Sequence, residues 1–218
     1  MTTSTEWVSP VYQGQFGEFT ITDRDRQEVL IYRSGLVIAA LSFGVATAIA
    51  LWLPDLPHHW LWLSSLYTTF YLGLGVSLFT IHIYLKLLHR VLQGFWLIGG
   101  LASLAIAHLH PDPFVLTVYQ QPITILGVGF TFAALTGIYF KEAFCFNRLE
   151  TKVLTPLVPA LLLGHLVGIW SGAIAQTLLL IWAGFFAIFA VRKCIQPIPP
   201  DIGDKSVFAY LKSGGKLS

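Results

Sequence analysis

Hydrophobic residues in this chain are gathered into six long runs that are separated by short polar connectors. Each run is about 18–26 residues long, close to the ~20 residues that a helix needs to cross the hydrocarbon core of a bilayer. Helices are predicted because lipid offers no water to the polar groups of an irregular backbone. The pattern therefore predicts an all-α polytopic membrane helix bundle with six transmembrane helices. The runs are Ser34–Leu53, Trp60–Leu85, Val91–Leu109, Pro122–Phe140, Val153–Trp170 and Gly172–Val191.

The basic residues fall only in alternate connectors of this six-span arrangement. The first, third and fifth connectors contain no lysine or arginine, so every basic residue lies on one side of the predicted bundle. The positive-inside rule makes that side cytoplasmic and predicts that both termini are cytoplasmic. The 13 basic residues are Arg24, Arg26, Arg33, Lys86, Arg90, Lys141, Arg148, Lys152, Arg192, Lys193, Lys205, Lys212 and Lys216.

Three regions follow from this pattern. Residues 1–33 are a cytoplasmic N-terminal segment with an interfacial helix, residues 34–191 are the transmembrane domain, and residues 192–218 are a cytoplasmic tail. Before the first span, Thr22 and Asp25 have the spacing of a helix capping box. The residues that precede them read as a short extended segment, and the proline-rich stretch Ile195–Asp204 is expected to be extended as well.

Composition supports a membrane protein and narrows its partners. The chain is 55% hydrophobic and 11% charged, with a mean hydropathy of +0.70, whereas soluble domains average about 25% charged residues. A lipid bilayer is therefore the expected surrounding. The net charge of +2 is too small to indicate a nucleic-acid partner. Cys145 and Cys194 are expected to be reduced thiols at the cytoplasmic face.

The strongest metal-like pattern lies in the first and third connectors, on the predicted outer side. Both connectors are short and stiffened by proline, and neither contains a cation. Imidazole with carboxylate suits zinc, iron or manganese, and the same group can sense pH. The alternative is that these polar residues only cap the spans, since no metal-motif spacing is present. The candidate ligands are His58, His59, His108, His110, Asp55 and Asp112.

One histidine is predicted to lie within a span. His165 is flanked by Gly164 and Gly168, whose four-residue spacing favours close helix approach. An ionisable residue inside a membrane suggests a function by default, here ligation of a haem or chlorophyll metal. The alternative is a hydrogen bond to a neighbouring helix. Pro156 and Pro159, earlier in this span, predict either a short helix or a kinked one.

Two further polar groups lie on the predicted cytoplasmic side. Lys141, Glu142, Arg148 and Glu150 surround the fourth connector, and they favour a structural ion-pair network or a partner-docking surface over paired catalytic carboxylates. His82, Lys86 and His89 have the spacing of one helix face. For this second group, an interfacial polar stripe is favoured over a proton path or an anion site.

Three stretches carry a resemblance to a known family. They are Gln13–Ile21, Lys141–Glu150 and Gly164–Leu166. Together they resemble an integral membrane protein family of cyanobacteria and related phototrophs, classed as a domain of unknown function, and the resemblance extends over nearly the whole chain. It implies a plasma or thylakoid membrane near photosynthetic complexes. In thylakoids the outer histidine connectors would face an acidifying lumen, which favours pH sensing. The family brings no catalytic residues.

The sequence favours a non-enzymatic accessory or assembly factor of a cyanobacterial photosynthetic membrane. It has distinct cytoplasmic segments, but no recognisable nucleophile, phosphate-binding loop or haem-attachment motif. No cofactor is required by the sequence. The alternatives are a transporter or channel for a small solute or metal ion, and a haem- or chlorophyll-binding membrane protein.

Overall fold

The computed structural model describes residues 10–213, and most of these residues are helical. A short hairpin, β1 (Val11–Gly14) and β2 (Gly17–Thr20), precedes the helices. The terminal residues of the predicted cytoplasmic segments, 1–9 and 214–218, lie outside the described part. The helices are α1 (Asp23–Trp52), α2 (His59–Thr80), α3 (Lys86–Leu109), α4 (Phe114–Gln120), α5 (Ile125–Phe146), α6 (Leu149–Leu166), α7 (Gly172–Ile195), α8 (Pro199–Ile202) and α9 (Lys205–Lys212), with a 3-10 turn at Pro122–Thr124.

Five helices within residues 10–213 are long and apolar enough to cross a membrane. They are α1, α2, α3, α5 with its preceding 3-10 turn, and α7. The prediction of an all-helical membrane protein is therefore confirmed for this part of the chain. The remaining predicted run, Val153–Trp170, lies mostly in α6, which has 18 residues and carries two charged residues, Glu150 and Lys152, in its first turn. This helix is the one predicted span that is not among the five within residues 10–213.

The long helices form a ring around one hydrophobic core. Helix α1 packs against α2 and α7, and the ring continues through α6 and α5 to α3, which also touches α2. Aromatic side chains fill the centre, where the ring of Trp182 lies 4.4 Å from that of Phe43 and 5.4 Å from that of Phe132. Helices α1 and α2 approach closely at Gly35, which has no side chain to separate them. A Cβ at this position would lie only 2.6 Å from the carbonyl oxygen of Gly73.

Helix α1 is one continuous helix of 30 residues, about 45 Å at 1.5 Å per residue. The interfacial helix and the first span of the sequence prediction are thus a single element. Its start confirms the predicted capping box: Thr22 N donates to Asp25 Oδ2 over 2.7 Å, and Asp25 N donates to Thr22 Oγ1 over 3.3 Å. The predicted boundary between residues 33 and 34 falls inside this helix, and the one between 191 and 192 falls inside α7.

The two terminal segments fold against each other at one end of the bundle. We call β1, β2, α8 and α9 the terminal cap. In this cap the rings of Phe16 and Tyr210 stack at 3.9 Å, and Gln15 N donates to Asp204 Oδ2 over 2.7 Å. The prediction of an extended N-terminal segment is confirmed, since this segment forms the hairpin. The prediction that Ile195–Asp204 is extended is wrong, because part of it forms α8. Pro199 and Pro200 occupy the first turn of α8, where a missing N–H costs nothing.

Helix α6 runs through both of its prolines. It begins at Leu149, before Pro156 and Pro159, and ends at Leu166. Just before Pro156, Thr155 Oγ1 donates to the carbonyl of Thr151 over 2.7 Å. The apolar side of α6 belongs to the central core through Leu154, Val158 and Leu161.

Candidate functional site at the basic end of the bundle

Four charged side chains from four different helices meet beneath the terminal cap. They are Arg33 of α1, Glu142 of α5, Lys193 of α7 and Asp201 of α8, and we call them the buried ion cluster. Helices α1 and α6 begin at this end of the bundle, and α5 and α7 finish here. We call it the basic end because the basic residues gather here. The side chains of Glu142 and Lys193 are 0% exposed, and that of Arg33 is 8% exposed.

The cluster is a continuous chain of ion pairs. Arg33 donates from Nε and Nη2 to Asp201 Oδ2 over 2.9 and 2.6 Å, and Nη2 also donates to the carbonyl of Pro197 over 3.0 Å. The ammonium of Lys193 donates to Asp201 Oδ1. The same ammonium lies 2.8 Å from Glu142 Oε2, as an ion pair rather than a directed hydrogen bond. The carboxylates thus alternate with cations.

Neighbouring side chains complete the surroundings of Glu142 and Lys193. Lys141 Nζ donates to Glu142 Oε1 over 2.9 Å, and the hydroxyl of Tyr32 donates to the same oxygen over 3.4 Å. The ammonium of Lys193 lies 4.3 Å from the centre of the Phe146 ring, within cation–π distance. Burying charges is costly unless every charge is paired and hydrogen-bonded. Each of the four charges has an oppositely charged partner, and Glu142 Oε2 is the one carboxylate oxygen of the cluster that accepts no hydrogen bond within residues 10–213. The pairs of Asp201 with Arg33 and Lys193 hold α8 on the bundle.

A second polar group lies beside the cluster, at the turn between α5 and α6. Arg192 Nη1 pairs with Glu150 Oε2 at 3.0 Å. Arg148 donates to the side chain of Gln196, whose Nε2 in turn donates to Asp201 Oδ1 over 3.0 Å. A cavity of about 580 Å³ opens here. Its lining residues are Phe146, Asn147, Arg148, Leu149, Arg192, Gln196 and Pro200.

The residues predicted to dock a partner lie in and around this region. Glu142 and Glu150 are buried, Lys141 is nearly so, and Arg148 is half-buried. Their polar atoms bind the chain's own α7 and neighbouring groups, which agrees with the ion-pair network that the sequence analysis also favoured. A docking role for them stays a prediction.

The opposite end of the bundle carries the histidine and aspartate connectors, and we call it the histidine end. His58, His108, Asp55 and Asp112 are exposed, while His59 and His110 are half-buried. The Nδ1 atom of His108 bonds the Leu104 carbonyl of its own helix at 2.8 Å. Among residues 10–213, no group of three or more His, Cys, Asp or Glu side chains is arranged to hold a metal. Metal binding here stays a prediction, which a zinc titration of the purified protein can test.

His165 lies at the histidine end, one residue before α6 ends. Its ring stacks on that of Tyr119 at 5.8 Å. The expected close helix approach at Gly164 is wrong, because this glycine instead makes room for Trp170, whose Nε1 would lie 1.7 Å from a Cβ at that position. Gly168 lies beyond the helix with φ of 71°. Haem or chlorophyll ligation by His165 stays a prediction, and the absorption spectrum of the purified protein tests it.

The predicted face of His82, Lys86 and His89 does not form, because His82 lies between α2 and α3 in a non-helical linker. His82 Nε2 lies 3.4 Å from Glu28 Oε2. Burial lowers the pKa of His82 from its usual value of 6.5, and this outweighs the opposite effect of Glu28 and Asp25. His89 Nε2 instead contacts the carbonyl of Leu78 at 2.6 Å.

Sequence reasoning missed that Lys193 and Asp201 help to join the tail to the bundle. One available signal was that the tail holds two acids, Asp201 and Asp204, near a span that ends with Arg192 and Lys193. It also missed an apolar cavity of about 170 Å³ nearer the histidine end, between α1, α2, α5 and α7. Ser42, Thr47 and Tyr67 contribute the polar side chains of its lining.

Comparison with known proteins places the chain among integral membrane proteins. Residues 76–210 match the model of the uncharacterized integral membrane protein family DUF2301. The chain belongs to this family. It is also similar to a protein of Haemophilus influenzae described as an uncharacterized protein, with 30% identity over 189 residues, covering 84% of this chain and 91% of the relative. No solved structure matches. Likeness to this chain is therefore not restricted to cyanobacteria.

Proposed function

We propose that all six long helices, including α6, cross the membrane and that both termini are cytoplasmic. The contact between the hairpin and α9 supports an even number of crossings, because both described ends of the chain lie at the same end of the bundle. The positive-inside rule supports the cytoplasmic side, since the basic residues gather at that end.

The length and pairing of α6 support a crossing. Its 18 residues extend about 27 Å, close to the hydrocarbon thickness of about 30 Å. Its buried acid, Glu150, is paired with Arg192 at the basic end, so its charge does not have to enter lipid alone. The exposed Lys152 can reach the interface through its long side chain.

Reporter fusions test this topology. Alkaline phosphatase is active outside the cytoplasm, and green fluorescent protein is fluorescent when fused to a cytoplasmic end. We expect fluorescent fusions at both termini and an active phosphatase inserted between Pro111 and Pro113. Opposite results at the two termini would show an odd number of crossings and would refute the six-span arrangement.

Within this topology the protein acts as a non-enzymatic accessory or assembly factor for other membrane proteins. The observation that carries this proposal is the buried ion cluster, which holds the terminal cap in one orientation. Buried ion pairs contribute little net stability, and their best-supported benefit is a unique arrangement. A cytoplasmic surface with one fixed shape is suited to recognition by another membrane protein.

The connector residues Lys141, Glu142, Arg148 and Glu150 support the docking surface from inside. The partner then meets the exposed parts of the cap, which include Val11, Gln13, Glu18 and Leu211. The resemblance to phototroph proteins makes photosynthetic complexes of a plasma or thylakoid membrane the first partners to test. The Haemophilus relative makes a more general class of membrane complexes the second.

Blue native electrophoresis of mildly solubilised membranes tests the function. We expect a complex much larger than the 24.2 kDa chain, and we expect Leu211→Asp to release the chain from it. Asp55→Asn at the histidine end is the matched control, because Asp55 is also exposed but lies far from the cap. A wild-type protein that migrates alone, without any photosynthetic or other subunit, contradicts the proposal.

A transporter of small solutes or metal ions is the second candidate. Two features favour this function. The cavity near Thr47 and Tyr67 lies on one side of the central aromatic side chains, and the buried ion cluster lies on the opposite side. This function predicts that Thr47→Cys, in a chain with Cys145 and Cys194 replaced by serine, reacts with a membrane-impermeant thiol reagent. A cysteine at Thr47 that stays unreactive, together with unchanged uptake into liposomes after His165→Ala, argues against transport.

A further inference from the structure

We propose that the cavity beside the turn between α5 and α6 binds the phosphate of an anionic phospholipid. It is lined by two arginines, Arg148 and Arg192, and by the amide side chains of Asn147 and Gln196. Its volume of about 580 Å³ lies within the range of small-ligand sites. Guanidinium groups bind phosphate oxygens through paired hydrogen bonds, so this lining suits a phosphate group.

Unused donor capacity points to a ligand. The Nη1 atom of Arg148 is covered by protein and has no hydrogen-bond partner within residues 10–213. Arg192 uses Nη1 to bind Glu150, while its side chain is 54% exposed. A buried donor without a partner is unfavourable, and a phosphate oxygen that binds this nitrogen removes that cost.

The local charge also favours an anion. The cations Arg148, Arg192 and the exposed Lys152 outnumber the carboxylate of Glu150, whose Oε2 is paired with Arg192 and whose Oε1 is buried with no partner within residues 10–213. The next carboxylate, Asp201, is bound by Arg33, Lys193 and Gln196. Arg148 is in addition the N-cap residue of α6, and no side chain caps this helix. The first backbone N–H groups of α6 therefore add the positive end of an 18-residue helix.

The apolar neighbours identify the source of the phosphate as lipid. Leu149 lines the cavity and is exposed. Phe144, Val191 and Ile195, each within two residues of a lining residue along the chain, are exposed as well. In the proposed topology these side chains lie at the cytoplasmic boundary of the membrane. Acyl chains can cover them while the headgroup enters the cavity, whereas a free phosphate ion would leave them uncovered.

Native mass spectrometry of the full chain tests the site. Delipidated protein is incubated with phosphatidylglycerol or with phosphatidylcholine of the same chain length. We expect retained adducts only with phosphatidylglycerol, and an affinity that falls about fivefold for each arginine removed in Arg148→Gln and Arg192→Gln. The control is Lys86→Gln with Arg90→Gln, which removes two exposed cations from the same end of the bundle. Equal loss in this control, or equal retention of both lipids, overturns the proposal.

Leu149→Glu provides a variant that breaks no contact of either arginine. It adds a carboxylate to the cavity at the first position of α6, where glutamate suits the helix, so folding is preserved while phosphatidylglycerol is lost. A parallel titration with inorganic phosphate separates the two sources. Binding of inorganic phosphate with the same sensitivity to these variants, without lipid adducts, would show a soluble anion site and refute the lipid. Failure of this test leaves the accessory function untouched, since that function depends on the cap.

Discussion

The two ends of the bundle both carry ionisable side chains, and they use them in different ways. At the basic end, Arg33, Glu142, Lys193 and Asp201 come from four helices and are buried in mutual contact. At the histidine end, the imidazoles and carboxylates of the connectors are mostly exposed, and the bonds they make are local. Charges that hold distant segments together therefore lie at one end, and charges that only face the surroundings lie at the other.

This difference concerns stability as well as shape. A buried charge that loses its partner costs several kcal/mol, while an exposed one costs little. The same substitution should therefore have unequal consequences at the two ends, and matched pairs of variants can measure this inequality.

The largest effect is expected for Lys193→Met. The substitution keeps the apolar part of the side chain but leaves Glu142 and Asp201 buried without their shared cation. We expect the free energy of unfolding in detergent micelles to fall by about 3–5 kcal/mol. The exposed Lys86, at the same end, is the control, and Lys86→Met should be nearly neutral. Similar losses for both variants would show that Glu142 and Asp201 do not depend on Lys193 as their buried partner.

A matched pair of aspartates compares the two ends directly. Asp201→Asn removes a charge that faces both Arg33 and Lys193, but it keeps a hydrogen-bond acceptor, so we expect a loss of about 2–3 kcal/mol. Asp112→Asn at the exposed histidine end should stay within about 0.5 kcal/mol of the wild type. Equilibrium unfolding of both variants gives the comparison, and equal values would remove the contrast between the ends.

A pair of glycines tests the attachment of the terminal cap. A Cβ at Gly14 would lie 2.2 Å from Asp204 Oδ1, so Gly14→Ala should separate the hairpin from α9 at a cost of about 1–3 kcal/mol. Limited proteolysis of the tail measures this opening as faster cleavage. Gly44→Ala, in α1, meets nothing within 4 Å and should be neutral or stabilising by up to about 1 kcal/mol. An unchanged cleavage rate in Gly14→Ala would indicate that the cap is held elsewhere.

The smallest effect is expected for the pH dependence of the free energy of unfolding, through His82. Burial lowers the pKa of His82 from 6.5, while Lys141 and Lys205 lower it further and Glu28 and Asp25 oppose this. The His82 imidazole therefore binds a proton more readily in the unfolded chain than in the folded one. The contribution of His82 to stability is therefore fully present above pH ~6.5 and is lost as the pH falls through the lowered value. His82→Gln should flatten the pH dependence of unfolding in this range, and a slope identical to the wild type would contradict the assignment.

Several predictions from sequence alone succeeded because they depend on local or additive properties. Hydrophobic run length predicted the helices, and side-chain chemistry three positions apart predicted the cap of Thr22 on Asp25. Other predictions failed where the chain folds back on itself or where a helix ends before the hydrophobic run does. Gly164 accommodates Trp170, and His82 lies in a linker that ends the expected helical face. The tail forms α8 because the bundle offers Asp201 two cationic partners, which no local pattern shows.

The sequence by itself determined that this chain is a helical membrane protein, since hydropathy and backbone hydrogen bonding act within each segment. It also determined that the basic residues fall in alternate connectors. Only the tertiary structure decided which charges are buried, because pairing Arg33 with Asp201 joins residues 168 positions apart. It likewise decided that the termini form one cap and that His165 lies at a helix end. The physical reason is that desolvation and ion pairing depend on neighbours, which sequence distance does not reveal.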